Sequence, residues 1–290
     1  MDAEAFSPGH VTGFFEVRYT EDLLSSGSRG AGLCLALGAK STVRATKSGR
    51  TSIDVMIDGK RSRASVTRAS LVHLLQHEKW RVEVVTRLDL PQSQGFGMSA
   101  AGALSASLAL AEILGRGRHE AFEAAHMAEI SQRAGLGDIS AIHKAGITIR
   151  TRPGLPPIGE VRRIDGTPNV VLAVLGRGLL TRTVLTDPIK RRMINKSGAT
   201  KVEELSRDPT LSKLMELSAL FAVETKLATR EIQDAMSAAS KLGMASMSML
   251  GNSVFATGDV EGLVSVLSEF GEVWVTKVDS VGARVLSSHS

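Results

Sequence analysis

A chain of 290 residues with 43% hydrophobic and 22% charged side chains can bury a real core and belongs to neither the disordered nor the fibrous classes. Its net charge of +5, from 35 basic and 30 acidic residues, is modest, and 4% aromatic content argues against a single-stranded nucleic-acid groove, which wants stacking rings. The lone cysteine, Cys34, excludes a disulfide framework and reads as a small buried residue; with no apolar leader and no run of about 18 apolar residues, a soluble cytoplasmic protein without a membrane partner is expected.

In chain order, Phe6 to Val17 reads as a strand interrupted at Pro8-Gly9 and Gly13, where the backbone bends near something it binds. Gly27 to Gly32, GSRGAG, reads as a flexible turn between strands, although Ser28 and Arg29 inside it also suit an anionic ligand. The alternation of Ile53, Val55 and Ile57, followed by Asp58-Gly59, predicts a half-exposed antiparallel hairpin. Val82, Val84, Leu88 and Leu90 continue a strand up to Pro91. From Ala100 to Leu114 the residues are apolar or small almost all round, so this helix belongs in the core, with Gly115 and Gly117 as its stop. A second helix spans about His119 to Arg133, and Ile147 with Ile149 starts a strand leading into Arg150.

The proline-rich RTRPGLPPIGE, 150–160, is the candidate linker. Beyond it, a short buried strand at Val170 to Leu175 precedes a polar, basic loop, TRTVLTDPIKRR. Helices over roughly 203–242, strands near Val254 to Thr257 and Val273 to Val278, and a helix near Glu261 to Phe270 make the second half α+β. Basic clusters at Lys60, Arg61 and Arg63, at Arg162 and Arg163, and at Lys190, Arg191 and Arg192 are scattered and read as solvated surface. His73 and His77 are spaced i, i+4 but lack the glutamate of a HExxH motif, and read as helix surface.

The most informative stretch is Pro91 to Ala111, PQSQGFGMSAAGALSASLALA, a glycine-rich turn feeding a helix. Gly95 and Gly97 remove Cβ atoms that would block an anion, the amides after them open a helix, and Ser99 adds a hydroxyl for a phosphate or its metal. The Walker pattern GxxxxGK[ST] is absent. A dinucleotide fingerprint, GxGxxA, is satisfied by residues 95–100, but Pro91-Gln92-Ser93-Gln94 separates it from its strand and no second strand ends in an acid about 20 residues on.

The stretch resembles the central PxxxGLGSSAA motif of the GHMP kinase superfamily, matching at Pro91, Gly95, Gly97, Ser99, Ala100 and Ala101. Phe96 replaces a leucine, and Met98 replaces the first serine. Ser7-Pro8-Gly9-His10 to Gly13 resembles the N-terminal motif, Gly135-Leu136-Gly137-Asp138 the segment with the catalytic aspartate, and Met249-Leu250-Gly251-Asn252 stands where a C-terminal glycine motif is found. Within the superfamily, PGHVTGFF, GSRGAG, AAHMAEISQRAGLGDIS, TRTVLTDP and MLGNSVF resemble, in order, the archaeal pantoate kinase family.

That resemblance implies an α+β GHMP kinase fold with two domains: a ribosomal-protein-like α/β domain over 1–160 and a ferredoxin-like α+β domain over 161–290. It implies ATP-dependent phosphorylation of pantoate in coenzyme A biosynthesis, with ATP and Mg²⁺ as cofactors and a homodimer in the cytoplasm. Asp138 matches the catalytic aspartate, Glu129 and Ser99 the metal-binding pair, and Gly95, Gly97, Ser99 and Ala100 the phosphate loop. Ser28, His126, Arg150 and Thr181 match substrate-contacting positions, with the planar fork of Arg150 suited to a carboxylate. Read alone, Asp138 is a helix N-cap, Glu129 an exposed helical acid, Ser99 a helix cap and His126 a helix-face histidine. A homoserine, shikimate or mevalonate kinase, or a non-catalytic RNA-binding protein, are the alternatives.

Overall fold

The computed structural model describes residues 1–178 and 187–289. Its first strand, β1 (Asp2–Arg18), runs antiparallel to β2 (Gly27–Lys47). Pro8-Gly9 does not break β1, because the chain absorbs the irregularity in bulges at Pro8/Gly9 and Thr12/Phe14. On its other side β1 meets β12 (Arg284–His289) only over residues 2–6, so Pro8 lies on an open edge where a missing N–H is tolerated.

The 27–32 glycine cluster is not a turn. It opens β2, and β1 and β6 (Ile147–Arg152) flank it on both sides. A Cβ at Gly30, which has φ +151°, would collide with the Phe14 carbonyl, so the glycine answers the close approach of strands.

β3 (Ser52–Ile57) and β4 (Lys60–Arg61) make the expected hairpin, and β3 pairs in parallel with β5 (Trp80–Leu88). The first sheet runs β12-β1-β2-β5-β3-β4, with β6 on β2 and β7 (Glu160–Ile164) on β6. Against it lies α2 (Met98–Leu114), whose residues from Ala100 to Ala111 are all buried, as an alanine-rich helix apolar all round requires. α1 (Ser65–Leu75) and α3 (Arg118–Ser131) cover the other side of α2, and α4 (Asp138–Lys144) follows. His73 and His77 are exposed, as expected, although His77 lies just beyond α1.

The 150–160 stretch is not a linker. β6 and β7 pair antiparallel across it, Leu155 is buried and Ser140 Oγ donates to the Gly154 carbonyl at 2.8 Å. The boundary expected after residue 160 thus falls within β7, a strand of the first sheet, and β12 returns to that sheet from the far end of the chain.

A second, antiparallel sheet has the order β11 (Glu272–Lys277), β8 (Asn169–Val174), β10 (Ser253–Gly258), β9 (Gly243–Met247). α5 (Pro188–Arg207) begins inside the stretch expected as a basic loop. Asp187 caps it by accepting from the Ile189 and Lys190 amides, with Pro188 in its first turn. α5 packs on β1, β2 and β6; α6 (Leu211–Glu224) touches both β1 and β9; α7 (Arg230–Ala239) and α8 (Val260–Leu267) cover the second sheet. One apolar cluster therefore runs from Phe14 and Leu33 through Phe221 to Phe255, joining the two halves. The architecture is α+β, as the sequence implied.

Candidate active site

The turn after β5 has Gly95 at φ +76° and Gly97 at φ +68°. Gly97 is the N-cap of α2 and offers no side-chain acceptor, so the first amides of α2 lack intrahelical partners and present a positive helix end. Ser99 is exposed in that first turn, whereas Met98 is buried with its terminal methyl against Gly9. The departure at Met98 is thus turned into the core and leaves the backbone of the loop available.

The second sheet holds this loop. Gln94 Nε2 donates to the Gly176 carbonyl at 2.7 Å, and Gln94 Oε1 accepts from the Asn252 amide at 3.2 Å. Ser248 Oγ donates to the Gly95 carbonyl at 2.7 Å, and Ser253 Oγ to the Gln94 carbonyl at 2.5 Å. A Cβ at Gly95 would lie 2.8 Å from the Ser248 carbonyl, which explains the glycine as much as any ligand does. The MLGN turn between β9 and β10 therefore backs the glycine loop that opens α2.

Two carboxylates face the helix start. Glu129 lies near the end of α3 and Asp138 opens α4. Far from being an exposed helical acid, Glu129 is 1% exposed, because α1 and α2 cover α3 and the 132–137 turn folds back over it. A Cβ at Gly135 would collide with Glu129 Oε1, and Oε2 has no hydrogen-bond partner among the described residues. Burial pushes the Glu129 carboxyl well above its ordinary value, the Asp138 charge adds to this, and the Ile139 amide and Arg150 oppose it.

Asp138 Oδ1 is 2.7 Å from Nδ1 of His10, a fully buried residue of β1 that the sequence reading did not single out as functional. Its only signal there was its place in SPGH.

Beneath the turn, Arg150 is 1% exposed, and its Nε and Nη1 have no hydrogen-bond partner among the described residues. A Cβ at Gly137 would lie 2.7 Å from Arg150 Nε and collide with Ser28 Oγ, so Ser28 and Arg150 meet directly under Gly137. Burial lowers the Arg150 pKa while Asp138 opposes the shift; guanidinium nevertheless keeps its charge. His126 is not on an open helix face. It is buried, with Nε2 3.1 Å from the Ser26 carbonyl, and so ties α3 to the start of β2.

These parts surround a cavity of about 520 Å³. Ser28, Gly95, Gly97, Ser99, Ala100, Glu129 and Asp138 line it together; His126 and Arg150 stand behind its wall, and Thr181 lies outside the described residues. The cations on its wall, among the described residues, are Arg63 and Arg133.

No group of three or more His, Cys, Asp or Glu suited to a metal occurs among the described residues. A magnesium ion does not need one, since it is commonly held by one or two carboxylates plus substrate phosphates. The orphaned Glu129 Oε2 and the exposed Ser99 fit that role, and the Cβ-free turn with its open amides fits a polyphosphate.

Residues 65–146 match the family profile of the GHMP kinases N terminal domain, a segment that includes the Gly95–Ala100 turn, Glu129 and Asp138. The pantoate kinase of Thermococcus kodakarensis is 35% identical over 265 residues, covering 88% of this chain and 87% of that one. That of Methanocaldococcus jannaschii is 31% identical over 268 residues, covering 91% and 95%. The chain belongs to the pantoate kinase family of GHMP kinases. A solved structure described as a phosphotransferase related to the CoA biosynthesis pathway superposes with a TM-score of 0.89 at 30% identity, covering 98% of both chains. The GHMP kinase fold accounts for the way the loop, the 132–138 turn and the β9–β10 turn converge, since each stands on a different part of that fold.

Proposed function

We propose that this protein is an ATP-dependent pantoate kinase that phosphorylates the terminal hydroxyl of pantoate to give 4-phosphopantoate for coenzyme A biosynthesis. The observation that carries the reading is the convergence of the open α2 amides, Ser99, Glu129 and Asp138 on one cavity, in a chain of this family.

The triphosphate lies along the Gly95–Ala100 turn, with its negative charge met by the α2 amides. Ser99 and Glu129 would hold Mg²⁺, which would supply charge neutralisation at the phosphate oxygens. Asp138 orients the acceptor hydroxyl and takes its proton as the new O–P bond forms and the bond between the β,γ-bridging oxygen and the γ-phosphorus breaks, releasing ADP. Ser28 meets the substrate at the cavity wall, with the Arg150 charge directly beneath it as counter-charge for the pantoate carboxylate. His126 supports that wall through the Ser26 carbonyl. A cytoplasmic homodimer is the assembly that the family resemblance implies.

Mass detection of phosphorylated product from a mixture of pantoate, homoserine, shikimate and mevalonate with ATP tests the substrate. Phosphopantoate is expected, and phosphorylation of another member alone would overturn the assignment. Asp138→Ala is expected to lower kcat at least about 100-fold, and full activity in that variant would remove Asp138 from the mechanism.

A further inference from the structure

The role of Asp138 raises the question of what aims it. A carboxylate on the first residue of a short helix can rotate, and proton acceptance during in-line transfer demands one oxygen in one place. His10 answers from the opposite side of the site. Its ring is fully buried in β1, and its Nδ1 lies 2.7 Å from Asp138 Oδ1. The strand around it is fixed by the phosphate loop, since the His10 amide donates to the Phe96 carbonyl at 3.0 Å and Gly97 packs against the same residue.

The second ring nitrogen, Nε2, has no hydrogen-bond partner among the described residues and lies against Gly32 and the adjoining backbone. Two alternatives to a positioning role fail on that fact. An imidazolium would strand an N–H in the core, at a cost of about 1–3 kcal/mol. A proton relay through the ring would end at Nε2 with no group to receive the proton. Burial also pulls the imidazole below its ordinary value, with the hydrogen bond to Asp138 and the Asp138 charge opposing it. The neutral ring with its proton on Nδ1 satisfies Asp138 and leaves a bare nitrogen, not a stranded donor, in the core.

We infer that His10 is a positioning residue that acts as a neutral hydrogen-bond donor: its Nδ1–H occupies Oδ1 of Asp138 and holds Oδ2 toward the acceptor hydroxyl. This rests on the reading of Asp138 as the group that receives the acceptor proton. It adds that β1, the phosphate loop and the catalytic carboxylate are registered to one another through a single side chain.

The test compares His10→Asn with His10→Gln. Both keep a polar amide in the space, but only asparagine places an N–H where Nδ1 stands. Steady-state kinetics are read on whichever alcohol of the four-member panel wild type turns over, so failure of the pantoate assignment appears in wild type and failure of this inference only in the variants. His10→Asn is expected to keep kcat within about tenfold of wild type, and His10→Gln to lose about 100-fold, with KM for ATP and acceptor held within about threefold in both. Equal kcat in the two variants, or a loss confined to KM, would overturn the proposal. Nitrogen-15 spectra of histidine-labelled wild type give a second reading that does not depend on variant folding. One protonated nitrogen, Nδ1, is expected at neutral pH; a ring protonated on both nitrogens or on Nε2 alone overturns it.

Discussion

At the residue scale, the metal-binding role proposed for Glu129 is set against stability. Its carboxyl is buried, one oxygen has no partner among the described residues, and its pKa is raised well above 4.5, first by burial and then by the Asp138 charge. The sign follows directly. The unfolded chain releases this proton near the ordinary glutamate value, the metal-free folded chain keeps it to higher pH, and stability is therefore lost as pH rises between the two. Glu129→Gln removes the ionising group while keeping its shape. In calorimetry at pH 7.5 without divalent metal, the variant is expected to have a higher Tm than wild type, the gap closing toward pH 4.5. Its Mg²⁺-dependent ADP release is expected to fall at least about 100-fold. A variant less stable than wild type at pH 7.5 would mean that the carboxylate is a structural partner, not a metal ligand held at a cost.

At the scale of elements, the turn between β9 and β10 presents backbone and hydroxyl groups to the loop that opens α2. Gln94 spans the gap with one donor and one acceptor, and both partners are main-chain groups. Gln94→Ala would leave the Gly176 carbonyl and the Asn252 amide unpaired and the Gly95 region free to shift. Net worth of about 0.5–1.5 kcal/mol per hydrogen bond predicts a rise in KM for ATP of about tenfold, with KM for the acceptor little changed. Fluorescent-nucleotide binding reads this directly, and unchanged affinity would show that the loop holds its own shape. Here the limits of the sequence are physical. PxxxGxGxSAA and the alanine-rich run identified the loop and its helix because local geometry demands those residues. Gln94 looked like spacer, since its partners lie 82 and 158 positions away. GSRGAG looked like a turn because glycine also marks turns, whereas its cause was three strands meeting at Gly30. Glu129 and His126 looked exposed because helix periodicity does not reveal that α1 and α2 close over α3. His10, alone in an apolar strand, carried no period at all.

At the scale of the whole molecule, buried histidines make stability depend on pH. His10, His126 and His143 all have pKa values lowered from 6.5, in each case first by burial. Above pH 6.5 both folded and unfolded chains hold them neutral, and their contribution is fully present. As pH falls below 6.5 the unfolded chain takes up protons that the folded chain refuses, so stability is lost until each folded pKa is passed, at up to about 1.4 kcal/mol per pH unit for each group. Glu129 has the opposite slope above 4.5 and would mask part of this loss in wild type. The measurement therefore belongs in the Glu129→Gln background, as urea midpoints at pH 7.5, 6.5 and 5.5. A midpoint that falls steeply only below 6.5 is expected. His126 Nε2 lies 3.1 Å from the Ser26 carbonyl, a bond that a glutamine amide can replace. Adding His126→Gln should flatten the acid-side slope without moving the midpoint at pH 7.5 by much. A midpoint independent of pH across this range would show that the three rings are as accessible to protons in the folded chain as in the unfolded one.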